Sequence, residues 1–166
     1  MSYPPRLYEG DTGEVSAHVR PGHQPPELVY PNGNRVSYLA TGATTAGLFG
    51  LYKWEFSDAV SGPGAHFHRT IAESFYILTG EVKVYDGREW VTARPGDFLH
   101  VPPGGLHGFR NESGAEASML LHFAPGAPRE QYFEGLARLA RGEEWSKEEY
   151  DAFMAEHDNH WVDSAD

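Results

Sequence analysis

His66-Phe-His68-Arg-Thr-Ile-Ala-Glu73-Ser-Phe-Tyr-Ile-Leu-Thr-Gly80, followed by Gly96-Asp-Phe-Leu-His-Val-Pro102-Pro-Gly104-Gly-Leu-His107-Gly-Phe-Arg-Asn111, is the part of the chain on which the rest turns. His66 and His68 stand two apart, and in an extended strand such side chains share a face. Glu73 heads a run rich in aromatic and β-branched residues, the composition of a strand. Pro102-Pro-Gly104-Gly reads as a tight turn that delivers His107 to a further short run. Three imidazoles and one carboxylate can therefore meet from neighbouring strands. That donor set suits a divalent first-row transition metal. Four protein donors on an octahedral ion leave two positions open, as a catalytic rather than a structural site requires. Each residue alone would pass for an ordinary strand histidine or strand-edge charge. The set, with glycine and proline at the intervening turns, points to a metal.

These two segments resemble the paired signature motifs of the cupin superfamily. The first motif runs His-x-His, four residues, Glu, six residues, Gly, and is met by His66, His68, Glu73 and Gly80. Its opening glycine is absent: Val60 stands there, and Gly62 and Gly64 follow. The second motif is met without a gap by Gly96, Pro102, Gly104, His107 and Asn111. The resemblance implies that His66, His68, Glu73 and His107 ligate one divalent metal, with Fe, Mn, Ni, Co, Cu and Zn all open. From about Thr44 to Gly135 the chain further resembles single-domain cupins of the quercetin dioxygenase-like kind. The implied fold is all-β, a cupin jelly-roll β-barrel. A homodimer is also an expectation from the family.

Composition sets the frame. The 166 residues suffice for one domain with a real core, at 40% hydrophobic and 13% aromatic content. There is no cysteine, so neither a disulfide framework nor thiol chemistry enters. No stretch near the start has the apolar core of a signal peptide, and no run approaches membrane-spanning length. The expectation is a cytoplasmic protein. Net charge is −11, and positions 128–166 hold eleven acids against four bases, so −7 of it lies there. An acidic surface repels phosphate backbones, which argues against nucleic acid as a partner. The expected partner is a small-molecule ligand or substrate, with no membrane.

Three regions follow. Residues 1–33 are rich in Pro and Gly and read as an irregular arm over the barrel; His18 and His23 there are expected to be solvated. Residues 34–126 form the barrel. Arg35–Ala40 reads as a strand, and 44–57 as one long strand-like run in which Leu48, Tyr52, Trp54 and Phe56 share a parity. Asp86-Gly87 is a two-residue hairpin signal. Within the next strand His100 is expected to be structural. Residues 127–166 change period. Pro128 opens a helix that Gly142 ends, and Ser146 with Glu149 forms a capping box for a second. Trp145 and Tyr150 stand at the positions of a hydrophobic staple. The aromatic stripes of these two α-helices suit outer packing, a dimer contact or a lid over the metal, and packing is favoured. His157 and His160 are left outside the site.

Pocket walls are read from parity. If Glu73 points inward, so do Phe75 and Ile77; Phe109 shares parity with His107; Tyr52, Trp54, Met119, Leu121 and Phe123 are candidates from neighbouring strands. The same side chains would serve equally as ordinary core. Three neutral imidazoles and one carboxylate leave an M²⁺ site with a net positive charge, fit to hold an enolate or catecholate oxygen. Resemblance to flavonol dioxygenases implies that Glu73 is also catalytic, as a base toward a substrate hydroxyl. The expected function is thus a metal-dependent, dioxygenase-like oxidoreductase for a small aromatic or enolisable molecule, a flavonol included. The alternatives are a non-oxidative isomerase, lyase or polyketide-cyclase-like enzyme, and a binding protein without turnover.

Overall fold

The computed structural model describes residues 2–162. Strand formation follows the alternation of the sequence. In β3 (Gly50–Phe56) burial alternates residue by residue, with Tyr52, Trp54 and Phe56 inward. In β5 (Ala72–Thr79) Glu73, Phe75 and Ile77 face in and Tyr76 faces out. In β10 (Ala117–Ala124) Met119, Leu121 and Phe123 are the inward set. These three strands lie side by side, with Leu121 between Tyr52 and Phe75 in register. Together with β1 (Leu28–Val29), β2 (Arg35–Ala40) and β8 (Phe98–Val101) they make one six-stranded sheet, ordered β1-β2-β3-β10-β5-β8. A three-stranded sheet, β7 (Trp90–Ala93), β6 (Val82–Tyr85) and β9 (Gly108–Arg110), supplies Val82, Val84 and Phe109 to the same core. A two-stranded ribbon joins β4 (His66–Phe67) to β11 (His160–Trp161). The hydrogen-bonded ladders among the described residues thus form three sheets, with no single closed ladder.

Several expectations are corrected. The run 44–57 is a strand only from Gly50. Before it the hydroxyls of Thr41, Thr44 and Thr45 bond nearby backbone and hold a compact turn, and Ala46 and Gly47 have positive φ. The hairpin around Asp86-Gly87 pairs Tyr85 with Trp90, so its loop has four residues. Asp86 Oδ1 accepts from the backbone N–H of Arg88 and of Glu89, which stabilises that longer turn. The arm does not stay irregular to residue 33: β1 pairs with β2, and Tyr30 is buried against Trp54 with its hydroxyl donating to Phe133 O at 2.8 Å.

The missing motif glycine has a local substitute. Gly62 sits at φ 138°, and a Cβ there would lie 2.1 Å from Phe109 O, so the entry loop can pass β9 only without a side chain. Asn111, fully buried, ties the same loop down: its amide donates to Ser57 O and Ala115 O, and its Oδ1 accepts from Ser113.

Helix α1 (Arg129–Ala140) lies between Pro128 and Gly142 as expected, and helix α2 (Lys147–Glu156) starts after Ser146 with its capping box to Glu149 complete. Helix α2 ends before Trp161, which the expected helical stripe included and which pairs in β11 instead. The staple differs: Trp145 meets Phe153, centroids 4.8 Å apart, while Tyr150 turns toward the barrel cavity. Phe133 of α1 packs on Tyr52 and Trp54, which docks the helix on the sheet's inner face. No helix among the described residues is long and apolar enough to cross a membrane.

Two outcomes follow. Ile77, 1% exposed, packs in the inner layer of the large sheet; Ile77→Ala lowers unfolding free energy by about 2–5 kcal/mol, read from urea midpoints. Glu27 anchors the arm, accepting from Tyr38 N–H at 2.7 Å and from Arg20. Partial burial pushes its carboxyl up, but these donors outweigh that and hold it below the usual range. The stability it adds is therefore present above the unfolded carboxylate pKa and lost as pH falls through the folded one. Glu27→Gln is expected to cost no more than about 1 kcal/mol near neutrality. The gap from the parent should close in acid; a gap that persists there contradicts the assignment.

Candidate metal centre

Backbone pairing brings the four donors together. His66 and His107 exchange backbone hydrogen bonds, His66 N–H to His107 O at 2.8 Å and the reverse at 2.9 Å. Directly opposed residues of an antiparallel pair present side chains to the same face, and the two rings lie 4.2 Å apart. His68 follows in the loop after β4. Its carbonyl accepts from Gly104 N–H at 2.7 Å, with Gly104 at φ 82°, so the Pro-x-Gly turn grips the His-x-His segment. Glu73 enters from β5, opposite Phe123 and Val101. One donor atom from each of His66, His68, Glu73 and His107 lies within 4.8 Å of every other, and all four residues are at most 3% exposed.

The hydrogen bonds fix which nitrogen faces inward. Nδ1 of His66 lies 2.9 Å from Gly64 O, Nδ1 of His107 2.9 Å from Gly105 O, and Nδ1 of His68 2.6 Å from Asp158 O. A carbonyl only accepts, so each Nδ1 carries a proton and each neutral ring turns the lone pair of Nε2 inward. There, Nε2 of His68 and of His107 stand 3.0 and 2.9 Å from Glu73 Oε2. Lone pairs would face an anion unless a cation or a proton lies between them. The donor set therefore fits a divalent ion with three nitrogens and one oxygen.

Electrostatics agree on the ion-free balance. Burial pushes the Glu73 carboxyl up, but the bonds and positive charge of His107 and His68 outweigh it and hold it below the usual range. Burial pushes His107 down, and its bond to Glu73 reverses that, so its net shift is upward. His66 is pushed down to about 3 by burial and then by its histidine neighbours, and stays a neutral ring. These directions favour a proton on His107 Nε2 facing Glu73 Oε2, at the place a bound cation would occupy and from which it would be displaced.

The cluster opens onto a cavity of about 280 Å³ whose wall includes His66 and Glu73. Of the residues expected to line it, Trp54, Phe109, Leu121 and Phe123 do. Tyr52, Phe75, Ile77 and Met119 do not. Phe75 and Ile77 lie further along β5 and edge a separate hollow with Val84 and Leu99. Tyr52 gives its hydroxyl to Glu130, and Met119 is fully enclosed. Parity chose the correct face, but position along the strand decides which end a side chain reaches.

Half the wall went unread in the sequence. It comes from Arg129, Tyr132, Phe133 and Leu136 of α1, Tyr150 of α2, then Asn159 and Trp161, with Tyr30 from the arm and Asn34 just after it. Outer packing, the favoured reading of the tail, is corrected: Phe133 docks on the sheet's inner face, and Tyr132, Tyr150 and Trp161 cover the cavity. A signal was available in Asp158-Asn159 after α2. Asp158 adopts φ 55°; its carboxylate accepts from Arg69 N–H, Thr70 N–H and the Thr70 hydroxyl, and its carbonyl holds His68. His157 is occupied as a carbonyl acceptor for Arg129, and His160 stacks on Phe67. His100 faces outward and bonds Ser74 at 3.0 Å. None of the three joins the cluster.

Comparison with known proteins follows the same lines. A cupin domain matches residues 56–123. The polyketide synthase CurC of Streptomyces cyaneus is 30% identical over 107 residues, 61% of this chain and 68% of that protein. Quercetin 2,3-dioxygenase of Bacillus subtilis is 38% identical over 48 residues, 29% of this chain; the match spans only 14% of that enzyme. Among solved structures, an RmlC-like cupin from Shewanella frigidimarina aligns with a TM-score of 0.57 at 22% identity, over 70% of this chain and 96% of its own. That last likeness speaks to the fold. With the His-x-His ribbon, the strand glutamate and the third histidine after its Pro-x-Gly turn, the chain belongs to the cupin family.

Proposed function

We propose that the protein is a metal-dependent, dioxygenase-like cupin enzyme acting on a small aromatic or enolisable molecule. One observation carries this: the four-donor cluster opens directly onto a cavity walled by Trp54, Phe109, Phe123, Tyr132 and Phe133. His66, His68, Glu73 and His107 would hold the ion, which would supply Lewis-acid stabilisation of an enolate or catecholate oxygen.

The chain's own groups do the rest. The rings hold Glu73 by Oε2. Its Oε1 makes no hydrogen bond among the described residues and is the atom available to take a proton from a substrate hydroxyl. The aromatic wall excludes water and favours a flat molecule. The local similarity to a quercetin 2,3-dioxygenase supports the oxidative reading. The longer match to the polyketide synthase CurC favours a second: the same site acting without oxygen on an enolisable polyketide-like substrate.

Two measurements separate these. Untagged protein, purified without added metal, should carry near-stoichiometric transition metal, and His107→Ala should lose it by at least about tenfold while keeping its circular dichroism. Absence of metal from both, even after reconstitution, removes the site. Metal-loaded protein should then consume oxygen with flavonols or smaller enolisable phenols. Equal turnover under argon selects the non-oxidative reading, and binding without product selects a carrier.

A further inference from the structure

Three residues of the cavity wall hold buried polar atoms that lack partners among the described residues. Arg129 is 4% exposed, Asn159 3% and Trp54 7%. Among the described residues, Arg129 Nε, both amide atoms of Asn159 and the indole N–H of Trp54 make no hydrogen bond. All three residues line the cavity beside His66 and Glu73. A buried polar group without a partner costs roughly 1–3 kcal/mol, and a buried charge more. Such a cost is expected where a ligand makes good the missing bonds.

The charge of Arg129 sharpens the inference. It forms no salt bridge among the described residues. Its Nη1 donates to His157 O at 2.7 Å, and its guanidinium lies 4.1 Å from the Tyr132 ring and 5.0 Å from that of Phe123. These contacts orient the group without neutralising it. Glu73, the carboxylate on the same wall, already has its partners in His68 and His107. What is left over is one positive charge, N–H donors on three side chains and one amide acceptor, set among aromatic rings.

We infer that the Arg129–Asn159–Trp54 wall is the recognition site for a carboxylate on a small flat aromatic ligand. This rests on the cavity's being the ligand site of the proposed enzyme, and it names the ligand's chemical class. The volume, at the lower edge of the roughly 300–1,000 Å³ of drug-sized pockets, suits one or two fused rings. Arg129 acts through charge, Asn159 through an amide that both donates and accepts, and Trp54 through its indole N–H. The rival account makes Arg129 a structural strut between α1 and the end of α2, with no preference for anions.

The test uses the full chain stripped of metal, so that its outcome does not depend on turnover. Calorimetry is run with 2-naphthoate and the neutral, isosteric 2-naphthamide. The carboxylate should bind at least about tenfold more tightly. Arg129→Gln should remove that preference and leave the amide's affinity within about twofold. Should Arg129→Gln fail to fold by circular dichroism, Asn159→Asp takes its place. A carboxylate on that wall repels an anionic ligand and should likewise abolish the preference. Equal affinity for both probes in the parent, no binding of either, or a preference that survives in a folded variant overturns the inference. Turnover of a neutral substrate without anion preference would leave the enzyme reading standing; anion preference without turnover would do the reverse.

Discussion

Everything near the centre of this molecule accommodates one carboxylate. Glu73 is buried on β5 with its Oε2 close to two imidazole nitrogens, and burial by itself would drive it to the neutral form. It stays ionised because positive charge is supplied at contact distance. The His107 and His68 rings supply it in the bare protein, and the same donors fit a divalent ion. Each ring is in turn aimed by a backbone carbonyl at its Nδ1. The site is thus specified by main-chain geometry: the His66–His107 bridge, the Gly104 turn and the Asp158 carbonyl.

The last of these links the C-terminal region to the four-donor cluster. The strand β11 pairs with β4, so His66 lies opposite Trp161 and Phe67 opposite His160. Asp158 grips the loop that follows His68. The same excursion carries Asn159 and Trp161 to the cavity, while α1 brings Arg129 and Tyr132. A sheet pair alone would leave the cluster open on that side. The tail supplies the far wall of a largely aromatic cavity over the four donors, where electrostatic contacts act at lower effective dielectric.

Local patterning made much of this legible. Alternating burial in β3 and β5, the capping box of α2 and the Pro-x-Gly turn before His107 all follow from residue types at fixed spacings. So does the meeting of His66, His68, Glu73 and His107, because each sits at a motif position whose strand or turn leaves little freedom. The failures share a cause. Residues 44–49 have strand-like composition, but threonine hydroxyls and positive φ at Ala46 and Gly47 make a turn instead. Parity placed Phe75 and Ile77 on the inner face, yet they lie past the site along β5.

The amino-acid sequence by itself determined the family motifs, the strand faces and the identity of the four donors, because these are set by short-range periodicity and turn chemistry. Only the tertiary structure decided where the tail goes, and with it the charge and half the wall of the cavity. Arg129 and Glu73 are far apart in the chain and on elements of different kind, and no local period relates them. Their proximity depends on Phe133 docking on Tyr52 and Trp54, and on Asp158 capturing the loop after His68. These are long-range contacts selected by burial and hydrogen bonding.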